Sequence, residues 1–238
     1  MSQGIAKQLL RALMAVSPCL VVGCVPNESS IHLLNAFPYQ NAQVNGACQA
    51  ATVGITAGTL DISGTSSYLL QFQMESTFQQ LSNGISGEPA FQGPSRNDWI
   101  ATEILYSYSS VPALSPALAD ELLPIYFRLP AGASSTSFIG IDMITATAAQ
   151  RLASTVRVGD VVTLNITIQL RGELASGQKV NTNKVTYPIE VFNSGFQGCA
   201  AGDRRVLSGP CGSPGGQDGS LVGCCRQFTP PPNGCPTA

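Results

Sequence analysis

Few side chains in this sequence have the type and spacing that chemistry needs. There is a single histidine, His32. A Ser or Cys hydrolase needs a His beside its nucleophile, oriented by an acid. His32 lies in a polar stretch with neither and reads as a solvated linker residue. No G-x-S-x-G, H-E-x-x-H or Walker loop occurs. Ser–Lys catalysis would fall to Lys179 or Lys184, which sit around a predicted hairpin turn, Ser176 to Asn183, and read as exposed. Asp98 and Glu103 flank Trp99 and could form the carboxylate pair of a glycosidase. The plainer reading is a strand start and one solvent-facing acid. Asp120 and Glu121 lie beside prolines and read as loop. Asp203 and Asp218 are isolated, with no D-x-D-x-D series for calcium. No catalytic residue, metal ligand or cofactor is expected.

The residues that could bind rather than react are aromatic. Tyr106 and Tyr108 share a strand face with Ile104, Thr102 and Ile100 if the alternation is unbroken. They read first as core or cross-strand partners, and second as a sugar platform. Trp99, the sole tryptophan, starts the same strand and could stack on a carbohydrate if exposed.

Cysteines carry a stronger signal. Of eight, Cys19 and Cys24 belong to the N-terminal region treated below. Cys48, Cys199, Cys211, Cys224, Cys225 and Cys235 remain. Six is even, and three disulfides are the natural reading for an exported chain. Five of them fall in the last 40 residues. At least one bridge should therefore join Cys48 to the tail. Adjacent Cys224 and Cys225 should not pair with each other, because a vicinal bridge is strained. Zinc sites favour C-x2–4-C pairs with His; these spacings, with no His near them, do not match.

The elements that must position these residues are strands. In Asp160 to Arg171, Val162, Leu164, Ile166, Ile168 and Leu170 face one way. Thr163, Asn165, Thr167, Gln169 and Arg171 face the other. Tyr68, Leu70, Phe72 and Met74 alternate in the same manner. Further strands are predicted over Thr52–Ile62, Trp99–Ser109, Leu123–Leu129, Ser137–Met143 and Lys184–Asn193, making about seven. Pro188 inside the last one suggests an edge or a bulge. Thr145–Ser154, rich in Ala, predicts one short helix with Thr145 or Thr147 as N-cap. This pattern argues for an all-β antiparallel sandwich over residues 48–193, with a closed barrel as the alternative. Residues 194–238 hold ten Gly, six Pro and five Cys. That is too little apolar mass for a core, so this irregular tail should be held by disulfides and packed on the sandwich.

Composition narrows the function. The 238 residues are 44% hydrophobic and only 11% charged, with net charge −2. There is no basic excess to neutralise phosphates, so nucleic acid is not an expected partner. Lys7 and Arg11 precede an apolar run from Ala12 to Val22, too short for a bilayer span and suited to a signal peptide. The run ends Leu20-Val21-Val22-Gly23-Cys24, which resembles the bacterial lipobox. The resemblance implies a signal peptide over 1–23, removed before Cys24, and lipidation of Cys24. The mature chain then carries ten basic and fourteen acidic side chains, a net charge of −4. Val25, in place of an Asp, points to the outer membrane of a Gram-negative cell. More than one acyl chain gives stable anchoring. Residues 24–47 then read as the lipidated N-terminus and a tether.

The broader pattern resembles envelope lipoproteins of the myxobacterial type. The features are Gly58–Asp61 with Tyr68–Gln73, then Asn97-Asp98 before a strand. Leu170–Gly172 with Ser176-Gly177, Tyr187–Val191, Gly198-Cys199 and Cys224-Cys225 follow. The resemblance implies an exported β-rich lipoprotein and says nothing of activity. Phe192 departs from it, since a Cys would be expected near that strand end. The expected function is therefore a non-catalytic, lipid-anchored cell-envelope protein. It would touch the membrane through Cys24 and meet another envelope protein or a glycan. A small-ligand or glycan-binding module is the alternative, and an unrecognised hydrolase a third.

Overall fold

The computed structural model describes residues 29–44, 47–80, 95–134, 137–206, 216–220, 222–227 and 235, with backbone alone over 40–44 and 47–50. The expected signal peptide and Cys24 lie outside the described residues, as do Cys211 and the side chain of Cys48.

Two sheets enclose one apolar core. The smaller is antiparallel and joins β1 (Ile31–Val44), β2 (Ala47–Ala50), β4 (Leu69–Ser76) and β7 (Ser137–Asp142) in the order β2-β1-β4-β7. The larger joins β3 (Gly58–Asp61), β5 (Trp99–Val111), β6 (Glu121–Leu129), β8 (Val161–Leu174) and β10 (Val185–Phe192) in the order β3-β10-β8-β5-β6. The short β9 (Lys179–Asn181) pairs with the C-terminal part of β8. Among the described residues one α-helix, α1 (Ala146–Thr155), links β7 to β8.

The alternation read from the sequence becomes burial. Leu164, Ile166, Ile168 and Leu170 of β8 are fully buried, as are Tyr68 before β4 and Leu70, Phe72 and Met74 within it. In β5 the alternation breaks. The register with both neighbours shifts between Ala101 and Glu103. A bulge inserts one residue and reverses which side chains face inward. Trp99 and Ala101 are buried before it, Ile104 and Tyr106 after it. The unbroken alternation that groups Tyr106 with Thr102 and Ile100 is corrected by this bulge. Gly172 of β8 makes room for it. A Cβ there would lie 2.2 Å from the Ile100 carbonyl oxygen.

Several expectations change. The proposed tether is not a tether from Ile31 on. β1 pairs with β4, and Ile31, Leu33 and Ala36 lie in the core. The register shift between Leu33 and Ala36 breaks the period-2 pattern, which hid this strand. The folded unit thus begins well before residue 48. The stretch Thr52–Ile62 contracts to β3. Its pairing with β10 is parallel, so the larger sheet is mixed. Pro188 sits in β10 just before Ile189, where the β3 ladder begins. Its missing N–H therefore falls where that side of β10 has no ladder partner, which makes β10 an edge locally and interior further on.

Helix α1 forms where Ala-rich sequence and an N-cap coincide. The Ala148 N–H donates to Thr145 Oγ1 at 3.1 Å, and Ala148, Ala149 and Leu152 bury the inner face.

The tail is stapled and docked. Cys199 bridges to Cys224 and Cys225 to Cys235. The backbones of Asp61 and Gly216 are bonded at 2.8 Å, and those of Asp218 and Thr59 at 2.9 Å. The sandwich has two ends. At one lie the starts of β1, β5 and β7, the last residues of β4 and β6, and the β8–β9 hairpin. At the other lie the last residues of β5 and β7, the first of β6 and β8, and α1.

Candidate functional site

The aromatic candidates turn inward. Trp99 is fully buried, and its Nε1 donates to the Val180 carbonyl at 2.9 Å. Tyr106 is buried, and its hydroxyl donates to the Asp142 carbonyl at 2.9 Å, tying the two sheets together. Tyr108 stacks on Tyr106 with ring centroids 6.2 Å apart and is half-buried. Its hydroxyl lies 3.4 Å from both the Thr145 N–H and Thr145 Oγ1. Thr145 Oγ1 in turn donates to Glu121 Oε1 at 2.5 Å. Burial pushes the Tyr106 phenol well up and the Tyr108 phenol up to about 12. Trp99 and Tyr106 therefore offer no ring face to a sugar, which corrects the stacking platform considered from sequence. Glu121, read as loop, is the first residue of β6 and supports the cap of α1.

Asp98 and Glu103, the carboxylates weighed as a pair, are held in different ways. Asp98 is buried, and its carboxylate accepts from the Ser95 and Ala131 N–H groups and from the guanidinium of Arg128. Burial alone would raise this carboxyl. The Ala131 and Ser95 amides and Arg128 outweigh it and hold it below the ordinary carboxylate range. An acid held charged and saturated in this way is a structural corner piece. Glu103 pairs in register with Pro124 and Arg171.

His32 lies on β1 opposite Glu75 of β4 and is half-buried. It is a strand residue rather than a linker. Lys179 and Lys184 are exposed. Asp218, isolated in sequence, is central in space. Its Oδ1 accepts from Tyr68 Oη at 2.7 Å and from the Thr59 N–H at 3.0 Å. Beside it, the Gln217 amide clamps both the N–H and C=O of Leu69. A Cβ on Gly58 would overlap Tyr68 Oη, so the Gly–Tyr–Asp contact admits no side chain there. Only the turn-like Asp218-Gly219 dipeptide pointed to this corner. Among the described residues, no three His, Cys, Asp or Glu side chains group as a metal site.

Among the described residues, a polar cleft of about 530 Å3 lies at the end where β1 begins; clefts of similar size lie beside Arg151 and Arg157 and beside Gly58 and Asp218. Ser29 and Ser30, Phe78, Gln169 and the run Gln178–Asn183 line the cleft at β1. The Ser29 hydroxyl donates to the Asn181 carbonyl at 2.7 Å, and Ile31 bridges to Thr182. The chain is thus pinned to the β9 hairpin as it joins the sheet. Behind the cleft wall stands Trp99, through its bond to Val180. The Asn183 amide is spent on the Leu33 backbone, and Gln169 Nε2 on the Thr182 carbonyl. Sequence reasoning missed this cleft because its walls come from segments about 150 residues apart.

The fold defines the class as a two-sheet, mixed β-sandwich with a disulfide-stapled tail. No protein-family model, no curated protein and no solved structure matches the chain. Among the described residues no helix is long and apolar enough to cross a membrane.

Proposed function

We propose that this is a non-catalytic cell-envelope protein, anchored by lipid on Cys24 in the outer membrane, whose sandwich serves a structural or interaction role. The observation that carries the reading is a distance along the chain. Ser29, whose hydroxyl already bonds the β9 hairpin, is the fifth residue after Cys24. At roughly 3.3–3.6 Å per residue the link spans at most about 18 Å. The sandwich would then sit against the headgroups instead of standing off them. Leu20–Cys24 and the basic residues before it supply the anchor signal. The placement of Trp99 and Tyr106 in the core supports a scaffold role for those rings. A ligand-binding reading stands on the polar cleft instead.

Metabolic labelling with a palmitate analogue, on the full chain and on Cys24→Ala, tests the anchor. Label and membrane fractionation should both be lost in the variant. Crosslinking in the native envelope, read by mass spectrometry, then seeks a partner captured only by the anchored form. An unlabelled, freely periplasmic wild-type protein would overturn the proposal.

A further inference from the structure

We infer that the polar cleft beside the start of β1 binds the phosphate-bearing headgroup of a membrane lipid. The inference deepens the envelope reading and rests on it for the membrane lying at this end. The chemistry comes from the lining. Gln178, Lys179 and Asn181 are exposed, and among the described residues their side chains make no hydrogen bond or ion pair within the protein. Amides and an ammonium supply the donors that phosphate and glycerol oxygens accept. No carboxylate lines the cleft. Glu173, the register partner of Lys179 across the hairpin, lies outside the lining and forms no ion pair with it. Phe78 adds one apolar surface, suited to the glycerol backbone where headgroup gives way to acyl chain. A neutral sugar would meet the amides alone and lack the charge-assisted bond to the ammonium. Position favours the lipid, since Ser29 in the cleft wall lies five residues from Cys24.

Trp99 reports on occupancy. It is the sole tryptophan, and its indole bonds Val180, which stands between Lys179 and Asn181. The full chain in maltoside micelles is titrated with sn-glycerol 3-phosphate, inorganic phosphate and a tetramer of N-acetylglucosamine. Vesicles of phosphatidylglycerol are compared with vesicles of an uncharged galactolipid. The expected result is a saturable change in Trp99 emission with glycerol phosphate and with phosphatidylglycerol, and none with galactolipid. Affinity should fall about tenfold in Lys179→Ala, the loss of one charge-assisted hydrogen bond, with the thermal midpoint unchanged. Response to inorganic phosphate alone would make this a free-phosphate site and overturn the inference. Response to the sugar tetramer or galactolipid would replace it with a glycan site. No response, or full binding by Lys179→Ala, would also overturn it. The mass of the N-terminal peptide separates the two readings. Binding of glycerol phosphate by a chain with unmodified Cys24 would defeat the anchor and leave the cleft standing.

Discussion

The hydroxyl of Tyr68 donates a 2.7 Å hydrogen bond to the carboxylate of Asp218, 150 residues along the chain. Tyr68 is fully buried, and its oxygen also lies 3.3 Å from that of Tyr187. One phenol thus connects the smaller sheet, the larger sheet and the tail. This contact and the Gln217 clamp dock the tail on the sandwich, while the two described disulfides close loops within it.

Tyr68→Phe should lower unfolding free energy by about 2 kcal/mol, the usual worth of a hydrogen bond to a charged acceptor. The loss should appear first in the tail, as faster proteolysis around residue 218, and then in the denaturant midpoint. Asp218 has φ +50°, a left-handed conformation that Asn also tolerates. Asp218→Asn should therefore keep the turn and lose only the charge.

The buried phenols predict an alkaline transition. Burial raises Tyr68 and Tyr106 well above their ordinary value, and Tyr108 and Tyr187 up to about 12. A folded value above the unfolded value of about 10 means the contribution is complete below pH 10. It is lost as pH rises through about 12. Near-ultraviolet absorbance should show these phenolates appearing together with loss of β-signal in circular dichroism. Smooth ionisation of all six tyrosines near pH 10, with the fold intact, would contradict this.

Asp98 predicts the acid side. Its folded carboxyl lies below the reference value of 3.8. Its stabilising contribution is therefore complete above that pH and lost as pH falls through the depressed value. Asp98→Asn should cost about 1–2 kcal/mol at neutral pH, since Arg128 is 46% exposed and can return to water. The variant should also show a flatter acid limb in urea unfolding.

Gly172→Ala should be far more damaging than a typical Gly→Ala change. Its Cβ would meet the Ile100 carbonyl at 2.2 Å, and backbone cannot swing aside as a side chain can. The cost should exceed about 3 kcal/mol, seen as loss of soluble protein or of the cooperative transition. Gly177→Ala, with no neighbour within 4 Å but φ +90°, should cost only about 1 kcal/mol.

Non-reducing peptide mapping should recover Cys199–Cys224 and Cys225–Cys235. If Cys24 carries lipid and the signal peptide is removed, Cys48 and Cys211 are left over, and the map should then find them linked. The loops of 25 and 10 residues closed by Cys199–Cys224 and Cys225–Cys235 suggest about 3 kcal/mol for each of these bridges. Reduction should then loosen the tail, with Gln217 and Asp218 still docked, while the sheets persist.

Legibility followed period. β8, β4 before its end, and the capped helix at Thr145 were readable because each keeps one unbroken phase over several residues. β1 was not, because a bulge after Leu33 splits its apolar set and the remainder looks polar. Trp99 and Tyr106 were placed on opposite faces for the same reason. The bulge between Ala101 and Glu103 is visible only once β6 and β8 lie alongside. The candidate site was not readable at all, since no local pattern ties Ser29 to Asn181.

The sequence by itself determined the class. Alternating apolar residues can bury one face only as paired strands, and a Gly-, Pro- and Cys-rich tail can order only by staples and docking. It also determined which residue types are present to do chemistry, and how few. The tertiary structure alone decided which strands are neighbours, where the bulges reverse a face, and which polar groups meet. Those outcomes depend on closing loops of up to about 150 residues. The contacts that repay that closure, such as Tyr68 with Asp218, exist only when both sheets and the tail are in place.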